Sequence, residues 1–257
     1  MSSVTRGIAV VAVTSAAVGL GVRTSPRSAM PAFGVGEHLE YAVSFSRLHV
    51  GSGEMSLVAL DTTSGPAAWN ARLTVSGGVP FFHVRDTMSS LFDTTTFSSR
   101  RFTQHINEGP YHAQRNFAID ALGRTYTKND GAPSPSSSDP VDDVSLIYLV
   151  RTLPLADGDR YEFNRYFQPD QNPIIIRVVR RERISVPAGT YAAILIEPEI
   201  RASGIFSQNG HAQLWFSDDS SRLLLQMKAR LSIGSINLYL THATRATSSR
   251  PGTIRAP

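Results

Sequence analysis

Apolar and polar residues alternate with a period of two along most of this chain. In 39–45, Leu, Tyr, Val and Phe occupy every second position, with Glu, Ala and Ser between them. The same alternation is found at 69–75, 111–120 and 223–231. Because successive side chains of a strand point to opposite faces, the pattern predicts antiparallel strands with one buried and one solvated face. Turn-forming runs separate the strands at 51–53, 64–66, 107–110, 218–221 and 234–235.

One segment, DPVDDVSLIYLVRTLP, breaks this pattern and predicts a short helix over about 139–153. Asp139 suits the N-cap, Pro140 suits the first helical position, and the pair Asp142-Asp143 lies near the positive end of the helix dipole. An apolar stripe follows, and Pro154 ends the helix. We therefore expect about six strands, one helix in mid-chain and about six further strands.

The number of strands determines the expected architecture. An antiparallel sheet of about twelve strands does not stay flat, because strand twist makes it curl or split into two packed sheets. The predicted fold class is therefore mainly β, with a large curved antiparallel sheet that closes toward a barrel or a two-sheet clam. We expect residues 33–244 to form this single β-rich domain.

The stretch IRVVRRERISVPAGTYAAILIEPEI, at 176–200, predicts a hairpin around the sequence Val186-Pro187-Ala188-Gly189. If Val186 pairs with Thr190, Arg177 lies opposite Glu199 and Arg181 lies diagonal to Glu197, which makes a ladder of ion pairs on the solvated face. A bulge near 180–183 would correct an imperfect register. The alternative interpretation of the arginine cluster is an anion site, which the facing glutamates disfavour.

The first 32 residues are predicted to be a signal peptide and a short leader. Arg6 is followed by an uncharged, apolar or small run from Gly7 to Val22, and Ser28 and Ala29 offer small residues for cleavage. The run is shorter than the roughly 20 residues that span a bilayer, although an uncleaved anchor is the alternative. We therefore expect an exported, periplasmic protein with no stable membrane span after processing. The chain has no cysteine, which excludes disulfides and lipoprotein attachment.

Charge argues against nucleic-acid binding. The sequence pI of about 9.6 comes largely from the leader and from the tail 245–257, which we expect to be basic and flexible. Within 33–244 there are 19 basic and 21 acidic residues, so the body carries no basic excess to attract phosphates.

No catalytic motif is present in the sequence. There is no G-x-S-x-G, no phosphate-binding glycine loop and no helical H-E-x-x-H. His105, Glu108 and His112 have a loose metal-like spacing, but polar residues on a solvated hairpin are the favoured explanation. Ser52, between two glycines, is only a weak candidate for a nucleophile. Asp142-Asp143 and Asp218-Asp219 are explained by helix capping and by a turn. We therefore expect no catalytic residue, no metal and no cofactor, and a protein that is not an enzyme.

Aromatic residues are frequent, and most are expected to form the core. A curved sheet wide enough to leave an interior space would also use them to line a ligand site. The speculative lining consists of Trp69, Phe81, Phe117, Trp215, Phe216 and Tyr239.

Four stretches carry a resemblance to a known family. They are FGVGEHLEYAVSFSRLHVGSGEMSL, DPVDDVSLIYLVRTLPLADGDRYEF, ERISVPAGTYAAILIEPEI and LWFSDDSSRLLLQMKARLSIGSINLYL. Together they resemble the exported bacterial family known as domain of unknown function 3108, over roughly residues 33–242. The resemblance implies an envelope location and a mostly antiparallel β body, and it implies no established activity.

Three functions follow from these observations. The first is a non-enzymatic envelope protein that binds an apolar or amphipathic ligand, such as a lipid, in a β cavity. The second is a structural or interaction module in envelope assembly, which would dock another envelope protein through its sheet edges or its tail. The third, a hydrolase with an unrecognised site, has the least support.

Overall fold

A computed structural model describes residues 33–45, 48–63, 65–79, 82–200, 212–231 and 234–246. The predicted signal peptide and all but two residues of the predicted tail lie outside this described part. The chain divides into two units, 1–30 and 31–257, and only the second contains described residues. Within the described residues, no helix is long and apolar enough to span a bilayer.

The described residues before the helix form eight strands. They are β1 (His38–Phe45), β2 (Leu48–Asp61), β3 (Ala68–Val79), β4 (Phe82–Asp93), β5 (Ser99–Glu108), β6 (Tyr111–Asp120), β7 (Thr125–Lys128) and β8 (Ser134–Pro135). The helix α1 covers Asp143–Arg151. The alternation of apolar and polar residues predicts about six strands in this part. The short strands β7 and β8 account for the difference, because two to four residues are too few to show alternation.

Six strands and a single-turn 3-10 helix at Pro169–Gln171 follow α1 in the described residues. The strands are β9 (Arg160–Phe163), β10 (Ile174–Val186), β11 (Gly189–Glu199), β12 (Gln213–Ser217), β13 (Leu224–Leu231) and β14 (Gly234–Thr244). All fourteen strands join one antiparallel sheet in the order β8-β7-β6-β5-β4-β3-β2-β1-β14-β13-β12-β11-β10-β9. The mainly β fold with one mid-chain helix is thus confirmed.

The sheet curls around α1. Every residue of the helix from Val144 to Arg151 is buried, and a flat sheet could cover only one side of a helix. Ring contacts join Tyr148 to Phe92 of β4, whereas Arg151 donates to the carbonyl oxygen of Ser221, in the turn between β12 and β13. The helix therefore contacts both halves of the sheet.

The two ends of the sheet are joined by contacts other than strand pairing. Sheet order places β8 at one edge and β9 at the other. The segment after β9 returns to the β7–β8 side, where Ser136 donates to the carbonyl oxygen of Phe167 at 2.8 Å. The ring of Phe167 also packs on Phe117 of β6, with centroids 4.9 Å apart. These contacts give a barrel-like body although the strand ladder remains open.

Helix α1 starts later than the sequence indicates. Its N-cap is Asp142, whose side chain accepts hydrogen bonds from the backbone N–H groups of Val144 and Ser145, and the Ser145 side chain bonds back to the Asp142 N–H. This reciprocal capping box satisfies donors at the helix start. The expected cap, Asp139, instead has a positive φ of 44° and precedes the helix by a short extended segment. The expectation for Asp139 was therefore wrong.

The hairpin at 174–199 is present, but its register differs by one residue from the expected one. Val186 pairs with Gly189 rather than with Thr190, so the turn has only Pro187 and Ala188 between paired residues. A bulge lies between Val178 and Arg180, just before the expected place. The expected ion pair between Arg177 and Glu199 exists at 2.6 Å, although the two residues lie diagonally.

Candidate functional site

We call the face of the sheet that carries α1 the inner face and the opposite face the outer face. Inner-face residues can be followed from strand to strand, because directly paired residues point to the same side. The ring of Trp69 on β3 packs against Phe92, which in turn contacts Tyr148 of the helix. Trp69 and Phe92 are a direct pair in the register of β3 and β4. Alternation from these two residues assigns the rest of the face.

Along strands β3 to β6, the burial of inner-face residues decreases from one end of the strands to the other. Four inner-face residues, one from each strand, are buried: Leu73, Ser90, Phe102 and Phe117. The next inner-face residues toward the β3–β4 and β5–β6 turns are half-buried: Val75, Met88, Gln104 and Arg115. The inner face of β3 to β6 is therefore divided into a buried half, on the side of α1, and a half-buried half toward the turns, which is open.

Aromatic side chains fill the half that is covered by the helix. The ring of Phe33 lies 5.3 Å from Trp69 and 5.1 Å from Tyr148, and Phe97 packs against Trp69 at 5.9 Å. These edge-to-face and tilted contacts are the favoured arrangements of buried rings. This half of the inner face is a packed core.

A buried ion pair fixes the C-terminal end of α1. Arg151 donates two hydrogen bonds to the carboxylate of Glu37, at 2.6 and 2.7 Å, and a third to the carbonyl oxygen of Ser221. The two charged side chains are 0% and 2% exposed. Although burial opposes its charge, the hydrogen bond and the charge of Glu37 raise the pKa of Arg151. The guanidinium also lies 4.5 Å above the ring of Phe33.

Serine and aspartate side chains fix the N-terminal end of α1. Ser90 of β4 donates to the Asp142 carboxylate at 2.5 Å, and Ser99 of β5 lies 2.9 Å from the hydroxyl of Ser145. Burial raises the pKa of Asp142, although hydrogen bonds from Ser90, Ser145 and Ser99 partly offset the shift. A cap that is bonded to two strands holds the helix start against the sheet.

Asp143, in the first turn of α1, is a second titratable group at this end of the helix. Burial and the neighbouring charge of Asp142 raise its pKa from 3.8 to about 7, despite the hydrogen bond from the hydroxyl of Tyr166 at 3.2 Å. Its environment thus favours the protonated carboxyl group up to about pH 7.

We call the half-buried residues of the other half the open inner surface. It consists of Val75, Val84, Asp86, Met88, Gln104, Ile106, Ala113 and Arg115. Five of these side chains are apolar and three are polar or charged. Such a mixture is typical of a site that accepts a molecule with an apolar part and a polar part.

Arg115 is the cation of the open inner surface. Its guanidinium donates to the side-chain oxygen of Gln104 at 3.3 Å and to the hydroxyl of Tyr111 at 3.0 Å. Both partners are neutral, and no ion pair joins Arg115 to a described carboxylate. The guanidinium is thus oriented without being neutralised.

Two carboxyl groups lie toward the rim of the same surface. Asp86 on β4 belongs to the open inner surface, and Glu108 is the last residue of β5, on the inner face and exposed. Partial burial, the charge of Asp86 and a hydrogen bond between the two carboxyl groups raise the pKa of Glu108. The Asp86 carboxylate also accepts from the backbone N–H of Asn107 at 2.9 Å.

The five described residues of the proposed ligand lining do not come together. Trp69, Phe117 and Phe216 are buried on the inner face, where Trp69 and Phe117 contact other aromatic core residues. Trp215 and Tyr239 lie on the outer face, because both pair with Gln226 across β13. Phe81 lies outside the described residues. Sequence alternation separates the two faces of a strand, but it does not indicate which end of the inner face the helix covers.

The candidate metal ligands and the candidate nucleophile are not arranged as a site. His105 and His112 lie on the outer face, whereas Glu108 lies on the inner face, so these side chains diverge. Among the residues that the structure describes, no group of three His, Asp or Glu side chains is placed to hold a metal ion. Ser52 lies within β2, and its hydroxyl lies 3.4 Å from the hydroxyl of Ser76.

Carboxylates neutralise three of the four arginines of β10. Arg177 pairs with Glu199, Arg180 with Glu182, and Arg181 with both Asp157 and Asp218. This pairing agrees with a solvated ion-pair surface and leaves little positive charge for an anion. Trp215 takes part on the outer face, since its indole N–H donates to Glu182 at 2.7 Å.

Comparison with known families identifies the fold around these residues. The family described as "Protein of unknown function (DUF3108)" matches residues 40–241. The chain belongs to the DUF3108 family. The matched range runs from β1 to β14, so α1 and the open inner surface both lie within the DUF3108 region. No curated protein sequence matches the chain significantly.

One solved structure with a similar fold supports the barrel-like arrangement of this DUF3108 protein. A β-barrel-like protein of family DUF1849 from Brucella abortus superposes with a TM-score of 0.56 at 7% identity, covering 84% of this chain and 100% of that one. A DUF1089 family protein from Pseudomonas aeruginosa has a TM-score of 0.36 at 15% identity, covering 65% and 85% of the two chains. A Bacteroides fragilis protein with a YmcC-like fold, inferred to be exported, has a TM-score of 0.36 at 10% identity, covering 83% and 97%. At such identities only the fold is shared, and only the first score is high enough to support it.

Proposed function

We propose that this protein is an exported envelope protein that binds an amphipathic molecule on the open inner surface, without catalysing a reaction. The observation that carries the proposal is the change in burial along β3 to β6. Side chains on the same face pass from fully buried, as at Phe102, to half-buried, as at Ile106, within four residues. An inward-facing surface that remains accessible is the usual place for a ligand in a curled sheet.

The composition of the open inner surface supports an amphipathic rather than a purely apolar ligand. Met88 and Val75 pack partly against the core, so they offer apolar contact beside the helix-covered half. Arg115 and Asp86 add charge of both signs on the same face. A purely apolar ligand would remove these charges from water without compensation, which is unfavourable.

The envelope location rests on the sequence. Residues 6–29 combine a basic residue, an apolar run and small residues in the order that directs export. The absence of cysteine fits a body whose core is large enough to fold without disulfides.

Native mass spectrometry of the full chain, expressed with its leader and purified from the envelope fraction without detergent, tests the proposal. We expect a peak for a noncovalent complex with a lipid-sized molecule. Met88→Lys places a charge among the apolar contacts and should reduce the bound fraction about tenfold, because a buried charge disfavours an apolar chain.

The matched control is Thr87→Lys, one residue away on the outer face of the same strand. It should leave the bound fraction unchanged. If the wild-type protein carries no adduct, or if both variants lose it equally, the open inner surface is not the binding site. Circular dichroism of both variants separates loss of binding from loss of folding.

A further inference from the structure

We propose that the open inner surface selects a zwitterionic amphiphile, a phospholipid-like molecule whose headgroup carries both a phosphate and a primary ammonium group. This inference rests on the proposed function and adds the class of ligand. Arg115 would bind the phosphate, and the carboxyl groups of Asp86 and Glu108 would bind the ammonium.

Arg115 provides the anion-binding group. Its two hydrogen-bond acceptors, Gln104 and Tyr111, hold the guanidinium in place but leave its charge unpaired among the described residues. Arginine donates through a planar fork that matches the oxygens of a phosphate. Since Arg115 lies two residues from the buried Phe117 on the same face, a phosphate at this position would be next to the apolar core.

Asp86 and Glu108 provide the cation-binding group. They lie close together on the inner face, because Glu108 pairs with Val84, two residues before Asp86, and no described basic side chain forms an ion pair with either of them. A primary ammonium group has three donors, so it can bond to both carboxyl groups at once. Such a group would replace the repulsion between the two carboxylates with attraction.

The presence of both signs on one surface distinguishes this ligand from simpler ones. An anionic amphiphile would satisfy Arg115 but would lie near two carboxyl groups, and a cationic amphiphile would meet the opposite problem. Apolar contacts for the chains are available from Met88, Val75 and Ile106 of the same surface. Charge complementarity therefore favours a headgroup with one phosphate and one ammonium group.

Isothermal titration calorimetry with short-chain phospholipids below their critical micelle concentrations tests this inference on the full chain. The probes are dihexanoyl lipids with ethanolamine or glycerol headgroups, and O-phosphoethanolamine, which has the same charges without acyl chains. We expect the ethanolamine lipid to bind about tenfold more tightly than the glycerol lipid. O-phosphoethanolamine should show no measurable binding, because it gains nothing from the apolar contacts.

Two variants test which side chains bind the phosphate and the ammonium group of the lipid. Arg115→Gln should weaken binding of both lipids about tenfold, since both carry a phosphate. Glu108→Gln should weaken only the ethanolamine lipid and so reduce its advantage. The matched outer-face controls are Arg72→Gln on β3 and Glu54→Gln on β2, both exposed, and they should change neither affinity.

Two results would overturn the inference. One is a wild-type protein that binds the glycerol lipid at least as tightly as the ethanolamine lipid. The other is an Arg115→Gln variant with wild-type affinity. In either case, if Met88→Lys still abolishes lipid binding, the headgroup inference fails while the proposed function stands. If neither these lipids nor the neutral amphiphile octyl glucoside binds, both fail together.

Discussion

At the scale of single residues, the most consequential interaction is the buried pair of Glu37 and Arg151. Burying two charges is costly, and only close, multiple hydrogen bonds compensate for it. The pair joins the residue before β1 to the last residue of α1, which are 114 positions apart. No periodicity in the sequence indicates such a contact, because Arg151 has the same appearance as any basic residue at a helix C-terminus. It was therefore not predicted.

Arg151→Met is expected to lower the free energy of unfolding by about 3–5 kcal/mol, because it leaves the Glu37 carboxylate buried without a partner. Urea unfolding followed by circular dichroism measures this change. The control is Arg160→Met, whose ion pair with Glu162 is 49% and 47% exposed and should contribute less than about 1 kcal/mol. Equal losses in the two variants would show that Arg151 has no special structural role.

Asp143 should make stability depend on pH. Its pKa is about 7 in the folded chain and 3.8 ordinarily, so the folded state holds the proton more tightly. The resulting stabilisation is complete below pH 3.8 and is lost as the pH rises to about 7. Asp143→Asn stays neutral, so it should match the wild type at low pH and be more stable by at least about 1 kcal/mol at pH 8.

Chemical denaturation of both proteins at a series of pH values measures this difference. Comparison with Asp143→Asn removes the contribution of all other titrating groups. A constant difference between the two proteins from pH 4 to pH 8 would contradict the raised pKa of Asp143.

At the scale of elements, the pairing of β2 with β3 depends on two glycines that face each other. An added Cβ on Gly51 would lie 2.0 Å from the backbone oxygen of Ser76 and 2.4 Å from the Cα of Gly77. Both contacts are with backbone, which cannot move aside without disrupting the ladder. The sequence shows Gly51 as part of a turn signal, but the structure places it inside a long strand.

Gly51→Ala should therefore destabilise the protein by on the order of 1–3 kcal/mol, as overpacking usually does. Gly53→Ala is the matched control, because its nearest contacts would be ordinary ones at 3.4 Å. Thermal unfolding of the two variants should show a clear loss for the first and a much smaller one for the second. Similar midpoints would mean that the strands can separate at Gly51 without cost.

The strands and the helix illustrate how much of the fold can be predicted. Alternation in 39–45 and 111–120 identified β1 and β6, because each has one buried and one solvated face. The helix cap was misplaced at Asp139 because both Asp139 and Asp142 are good capping residues in sequence. The choice between them is made by Ser90 and Ser99 of the sheet, which bind the Asp142 end.

At the scale of the whole molecule, the inner face of the sheet extends beyond the part that α1 covers. Along β3 to β6, inner-face residues are buried on the side of the nine-residue helix and half-buried toward the β3–β4 and β5–β6 turns. The frequent aromatic residues of the sequence predict a ligand lining that includes Trp69, which the structure places in the packed half. The site was missed because its residues, Arg115, Gln104 and Met88, become neighbours only through the register of β4, β5 and β6.

The most direct test of the open inner surface uses the absence of cysteine from the chain. An environment-sensitive fluorophore is attached to Met88→Cys on the inner face or to Thr87→Cys on the outer face, and each protein is titrated with octyl glucoside and with dihexanoylphosphatidylethanolamine below their micelle concentrations. We predict a saturable blue shift for the label at position 88 and none at position 87. Equal responses at the two positions, or no response at position 88, would contradict the account.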